Sequence, residues 1–377
     1  MNATLKFSIS SVTLFFFLTG LTYTILFFAT GQLQDPLWAD EQTFLATSES
    51  FSNRLIPSLE QLRSYQELNT PLPFIIYGQV IYFFKGAPFT ARLLNLLLSI
   101  VIAALIGWPK SRKRFESILS LMGLFLFPYF LWFSTRFYTD IFAVFFTLLG
   151  VFFYRQKNHV ASGVMFLLGI ASRQFILAFP LATAAHELLI AIREKRRPSL
   201  SFFLPSIAAL SIVGWVLFFG GLAPQTALSV RNVPAVQQSL WALTPESGLY
   251  FLAVIGFFYV IPESLLFRQH FAEQPLWSKK NLLIAAGLMT AFILSPNLVF
   301  AKGVVWKISS FLPIGWLKLA FLYVMALLPC LRFSRISFPF LILFFNLLIM
   351  MKAFPWDKYA LPIIVIFWYL KSKDEMS

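Results

Sequence analysis

Two adjacent acids, Asp40 and Glu41, stand in a polar stretch that also holds Asp35, Glu49, Glu60 and Glu67, so six of the sixteen acids of the chain fall between residues 31 and 70. Basic groups recur later at four places: Arg92; Arg136, just ahead of Phe137-Tyr138-Thr139-Asp140; Arg173-Gln174; and Lys358-Tyr359 in the run Trp356-Asp357-Lys358-Tyr359. A carboxylate takes a proton from an attacking hydroxyl, and arginine or lysine binds a phosphate and stabilises it as a leaving group. Together they would suit a reaction between a lipid phosphate and a hydroxyl acceptor. Metal and redox chemistry find less support, because the one cysteine, Cys330, lies in an apolar run and His159, His186 and His270 are far apart. No Walker loop, dinucleotide fingerprint, nucleophile elbow or HExxH occurs.

The elements that must position these residues are membrane helices. The chain has 377 residues, 58% of them hydrophobic and 12% charged, against roughly 25% charged in a soluble domain. With about 20 apolar residues per crossing, the apolar runs 7–30, 88–108, 117–135, 139–154, 159–172, 174–192, 200–222, 247–265, 281–301, 311–330, 336–352 and 358–370 give about twelve spans. The whole chain, 1–377, is read as one all-α polytopic membrane domain. Residues 31–85 form its first extracytoplasmic loop, in which 71–84 is short for a crossing and is read as interfacial or re-entrant. Leu37, Phe44 and Phe51, and then Leu59, Leu62 and Tyr65 behind Pro57, have helical spacing and predict two amphipathic helices in that loop.

The net charge of +14 would point to nucleic acid in a soluble protein, but here it reports topology. Lys6; Lys110, Arg112, Lys113 and Arg114; Arg155 and Lys157; Arg193, Lys195, Arg196 and Arg197; Arg268, Lys279 and Lys280; Arg332 and Arg335; and Lys371 and Lys373 all fall on one side of the predicted bundle. Both termini are therefore expected in the cytoplasm. The acids of the first loop and the four basic sites then share the opposite face, where membrane-edge charges tend to mark function. Lys302, Lys307 and Lys318 are further cations toward that face, with Lys318 read as snorkelling to the interface. A transporter or lipid flippase is the alternative, but it predicts charges near the midplane and a repeat between the halves. No repeat is evident in the sequence.

The motifs in order resemble those of the integral-membrane glycosyltransferases of the GT-C fold, most closely the dolichyl-phosphate-glucose α-1,2-glucosyltransferases. Asp40-Glu41 in WADEQTF stands where that family has a DE pair, and Thr70-Pro71 in LNTPLP where it has a TTPPGLY-like segment. Arg92 and Asn95 in ARLLN, FYTD at Phe137 to Asp140, Arg173-Gln174, and Lys358-Tyr359 with Pro362 follow in sequence. Leu72 and Pro73 replace the family's second proline and glycine, and Lys358 its C-terminal arginine.

The resemblance implies transfer of glucose or another hexose, with inversion, from a polyprenyl-phosphate donor to a hydroxyl of a lipid-linked glycan or another extracytoplasmic acceptor. Asp40 would be the general base, with Glu41 orienting the acceptor or a divalent metal ion. Some of Arg92, Arg136, Arg173 and Lys358 would hold the donor phosphate. Thr70, Tyr138, Asp140, Gln174 and Tyr359 would support them, Asp140 as partner to a nearby arginine. No cofactor is certain, a divalent metal is left open, and no nucleic-acid partner is expected. The chain is shorter than eukaryotic relatives, which implies a bacterial plasma-membrane enzyme using an undecaprenyl-phosphate sugar. A eukaryotic source would place it in the endoplasmic reticulum membrane.

Overall fold

The computed structural model describes residues 10–109, 114–231, 233, 235–267, 278–295 and 301–376. It is 76% helical and has no strand among the described residues. Lys6, Lys110, Arg112, Lys113, Arg268 and His270 lie outside them.

The first long apolar run forms α1 (Ser11–Ala29), opened by Ser10, whose hydroxyl accepts from Thr13 N. The polar stretch behind it folds as expected into two helices, α2 (Glu41–Phe51) and α3 (Leu59–Ser64). Phe44 and Phe51 are the buried face of α2. A reciprocal capping box between Ser58 and Gln61 starts α3. Residues 71–84 become α4 (Leu72–Phe84), and α5 (Phe89–Gly107) carries Arg92 and Asn95 on its buried face.

The predicted span 117–135 is not one helix. α6 (Arg114–Phe125) and α7 (Pro128–Ser134) meet at 79°. Pro128 opens the second with its fixed φ, and Phe127 before it is extended, the conformation a following proline imposes. Next come α8 (Asp140–Arg155), α9 (His159–Ser172), α10 (Ala178–Arg193), α11 (Leu200–Phe219) and the short α12 (Gln225–Val230) and α13 (Ala235–Gln238). α14 (Pro245–Ile255) runs through one turn of π-helix into α15 (Ile261–Leu266). α16 (Lys279–Leu294), α17 (Val304–Ser310), α18 (Gly315–Arg332), α19 (Phe338–Met350) and α20 (Leu361–Ser372) complete the chain.

Six of these segments are long and apolar enough to cross a membrane, or seven if the bent α6–α7 pair is one span. They are α1, α5, the segment from Gln174 to the end of α10, α11, α14 to α15, and α18. The other predicted crossings fall on shorter helices: at about 1.5 Å per residue, the sixteen residues of α8 reach about 24 Å against a hydrocarbon core of about 30 Å. Several short helices share a cause. α8 begins and α9 and α20 are bounded at polar turns, Phe137–Thr139, Arg173 and Asp357–Ala360, where extended residues or a 3-10 turn interrupt the α-helix. Such backbone is tolerated at membrane depth only where protein or a water-filled cavity surrounds it.

The core lies around α20, whose residues Leu361 to Ser372 are all buried. A helix apolar on every side belongs inside a bundle, and α20 packs on α6, α8 and α5. At Gly256, in the π-turn, a Cβ would stand 1.8 Å from the Met325 carbonyl oxygen, so only glycine permits the close approach of α14–α15 to α18. The far end of the bundle from the polar turns is laced by ion pairs: Arg155 with Glu375, Arg196 with Glu187, and Glu263 with both Arg332 and Lys371.

Candidate active site

The sequence-selected residues converge at one end of the bundle. Glu41, the first residue of α2, is fully buried against Arg92 of α5, with Nε on Oε1 at 2.9 Å and Nη2 on Oε2 at 2.8 Å. The same carboxylate accepts Phe137 N at 2.6 Å and Trp38 N at 3.0 Å. Four donors fill the roughly four lone-pair directions of a carboxylate. Arg92 is equally committed: its terminal nitrogens also donate to the carbonyls of Leu33, Asp35 and Pro36. Three residues along α5, on the same face, the Asn95 amide donates to the carbonyls of Arg136 (2.7 Å) and Tyr138 (2.9 Å) and accepts Tyr77 Oη (2.8 Å). α5 thus fastens the first loop with one side chain and the Phe137–Asp140 turn with another.

A second buried pair lies beside the first. Arg173 donates to Asp140 Oδ2 at 2.5 Å and to Asn69 Oδ1 at 2.7 Å, with both charges almost wholly buried. Asp140 is the arginine partner anticipated for it, and Asn69 is the member overlooked, although it directly precedes Thr70. Thr70 Oγ1 donates to the Ile170 carbonyl, and Gln174 to the carbonyls of Leu68 and Leu222. These residues tie the end of the first loop to the turn after α9.

Asp40 differs from every other acid here. Its side chain makes no capping bond to α2, is 47% exposed, and meets one charge, Lys358 Nζ at 3.6 Å. Lys358 is itself 5% exposed and lies over the rings of Trp356 (3.8 Å), Tyr359 (5.6 Å) and Tyr138 (5.7 Å). Arg136 is part-exposed, bonded to Asp35 at 3.0 Å and 3.9 Å from Glu41, and its Nε is buried without a hydrogen-bond partner.

Lys358 is held by a latch that no sequence motif disclosed. Asp357, fully buried, accepts Tyr250 Oη at 2.6 Å and Val305 N at 3.1 Å. Lys302 N donates to the Pro355 carbonyl and Asp357 N to the Lys302 carbonyl, a single β-bridge between segments over fifty residues apart. Gly303 has φ +123°, and a Cβ there would lie 2.3 to 2.6 Å from the Asp357 carboxyl group. Burial raises the Asp357 carboxyl to about 6. The only advance signal was Asp357 itself, noted as a neighbour of Lys358.

Both Glu41 oxygens accept two hydrogen bonds each, and no metal-binding cluster of three or more His, Cys, Asp or Glu side chains forms among the described residues. Arg92 is spent on Glu41 and the carbonyls of Leu33, Asp35 and Pro36, while Arg173 binds Asp140 and Asn69 and keeps its Nε buried without a hydrogen-bond partner. Lys302 Nζ rests over Phe354 and Trp356, and Lys318 Nζ over Trp306.

Among the described residues the chain is helical, with six or seven segments able to cross a membrane and a carboxylate and cations gathered at one end. The model of the DIE2/ALG10 family matches residues 80–342, and the chain belongs to that family of dolichyl-phosphate-glucose α-1,2-glucosyltransferases. The matched stretch includes Arg92, Arg136 to Asp140 and Arg173, while Asp40, Glu41 and Lys358 lie on either side of it. No curated protein and no solved structure matches the chain.

Proposed function

We propose that the protein moves a hexose, glucose in the first instance, from a polyprenyl-phosphate donor to a hydroxyl of a lipid-linked oligosaccharide. The observation that carries the reading is the contrast at residues 40 and 41. Glu41 is sealed in a buried ion pair, while Asp40 is half exposed with a single cation 3.6 Å away. Asp40 takes the proton of the acceptor hydroxyl as that oxygen attacks the anomeric carbon. The bond from that carbon to the phosphate oxygen breaks, its electron pair leaves with the polyprenyl phosphate, and Lys358 and Arg136 balance the developing charge. One direct displacement inverts the anomeric centre. Arg92–Glu41 and Arg173–Asp140 position these groups and touch neither substrate.

The same reading sets the protein in a GT-C-like bundle of about twelve crossings, with this end extracytoplasmic and both termini cytoplasmic. The membrane is a bacterial plasma membrane, or that of the endoplasmic reticulum in a eukaryote. The test is release of free polyprenyl phosphate from a panel of polyprenyl-phosphate hexoses and pentoses by membranes rich in the protein, beside membranes carrying Asp40→Asn. Loss of a general base costs about 10²- to 10⁴-fold. Full turnover by Asp40→Asn removes Asp40 from the mechanism. Consumption of no donor by folded wild type supplied with acceptor turns the question to transport of a lipid-linked sugar.

A further inference from the structure

On the other side of the Asp357 latch the chain runs from Lys302 through α17 into α18, which is long and apolar enough to cross a membrane. No acid occurs between Glu273 and Asp357, while this stretch carries Lys302, Lys307 and Lys318. Lys302 and Lys307 are exposed, and Lys318 Nζ lies 3.2 Å over the Trp306 ring. α17 turns Val305 and Ser309 inward. Directly after it Phe311 is 85% exposed, and Trp316, in the first turn of α18, is 64% exposed.

Exposed rings and lysines in one short segment, with no carboxylate of its own to balance them, suit neither bulk water nor an apolar partner. They suit the boundary of a bilayer. Aromatic rings sit at headgroup depth, lysines reach past them to the phosphates, and each cation near an anionic surface adds attraction. The chain itself sets the depth, because Gly315 opens a crossing helix and Phe311 stands four residues before it. The same segment is wired to the site. Val305 N donates to Asp357 Oδ2 and Trp306 N to Tyr250 Oη, both at 3.1 Å, and Tyr250 donates in turn to Asp357. Lys302 Nζ and Lys358 Nζ share the Trp356 ring, at 5.4 and 3.8 Å from its centroid.

We infer that residues 301–318 form an interfacial platform for an anionic phospholipid of the surrounding leaflet. Lys302 and Lys307 bind its phosphodiester, Phe311 and Trp316 enter the acyl boundary, and docking seats α17 on Asp357, which holds Lys358 in place. The effect on turnover rests on the proposed transferase reading; the lipid binding stands without it.

The probe is fluorescent phosphatidylglycerol titrated onto the full-length protein in neutral detergent, with fluorescent phosphatidylcholine beside it. Wild type should prefer phosphatidylglycerol. Lys302→Gln with Lys307→Gln, both at exposed positions, should weaken that binding about thirtyfold, the worth of two lysines at an anionic surface. A charge-matched control at the opposite end of the bundle, Arg193→Gln with Arg197→Gln, should bind as wild type does, and so should Asp40→Asn. In nanodiscs of phosphatidylcholine, added phosphatidylglycerol should lower donor KM severalfold for wild type and for the control, and leave the lysine variant unmoved. Equal affinity for the two lipids overturns the platform, as does equal loss in the lysine variant and its control. So does displacement by inorganic phosphate beyond that by sodium chloride of equal ionic strength, which marks a bare anion site. Displacement by a polyglutamate peptide where unlabelled phosphatidylglycerol fails marks a protein-docking face and overturns it too. Phosphatidylglycerol binding that is lost in the lysine variant, in a wild type that turns over no donor, defeats the transferase reading alone. Donor turnover without any preference for phosphatidylglycerol defeats the platform alone.

Discussion

Replacing Arg92 by methionine tests which arginines are structural. Arg92 and Glu41 are both fully buried, and the arginine also satisfies three carbonyls of the first loop. Removing one partner of such a pair leaves an uncompensated buried charge and costs about 3–5 kcal/mol. At roughly 2 °C per kcal/mol, the low end for domains somewhat smaller than this, Tm in detergent falls by about 6–10 °C. Arg92→Lys recovers little, because one ammonium cannot reproduce a fork on Glu41 and reach Leu33, Asp35 and Pro36 together. The double variant Arg92→Met with Glu41→Gln loses less than the sum of the singles, since the stranded carboxylate is gone. Thermal unfolding followed by intrinsic fluorescence measures the wild type, both Arg92 variants, Glu41→Gln and the double variant at one scan rate. If Arg92→Met keeps its Tm within 2 °C and instead raises donor KM, Arg92 is a phosphate ligand and the division drawn between the two acids fails.

Asp40→Asn should shift Tm by less than 2 °C, because a half-exposed pair at 3.6 Å contributes at most about 1 kcal/mol, and a larger shift would assign Asp40 a structural role. Asp357 is raised from 3.8 to about 6 by burial, so its contribution to stability is fullest below about pH 4 and is lost as pH rises through 6; Asp357→Asn should flatten unfolding stability across that window. Gly303→Ala forces a left-handed φ and a clash on Asp357, and a displaced Lys358 should lower kcat by about a hundredfold. Gly256→Ala, with its Cβ against the Met325 carbonyl, should abolish folded yield, read by size-exclusion of the detergent extract.

The residues singled out in the sequence lie together at one end of the bundle, but which of them pair with which was not legible. Asp40 and Glu41 are adjacent and chemically alike, yet a single 100° step at the start of α2 sends one toward Lys358 and the other into the core. Hydropathy cannot see that step. Arg92 and Arg173 read as phosphate ligands because their carboxylate partners, 51 and 33 positions distant, carry no local signature. The two loop helices were legible from the spacing of Phe44, Phe51, Leu59 and Leu62, and the break at Phe127-Pro128 was legible in principle from proline. The bounds of α8, α9 and α20 were legible as well, within a few residues, because polar turns end the apolar runs there. The Asp357 latch depends on Gly303 and Tyr250, and neither stands near it in the chain.

The two clamps on α5 have a mechanical consequence. Arg92 and Asn95 sit one turn apart on one helix and grip different loops, so the first loop and the Phe137–Asp140 turn travel together as a single jaw. Lys358 belongs to the opposite jaw, hung from Asp357 on the segment between α19 and α20. A long ion pair, Asp40 to Lys358, spans the gap between them. On the proposed reading, a phosphate seated against Lys358 would compete with Asp40 for the ammonium, so loading of one substrate would free the carboxylate that acts on the other.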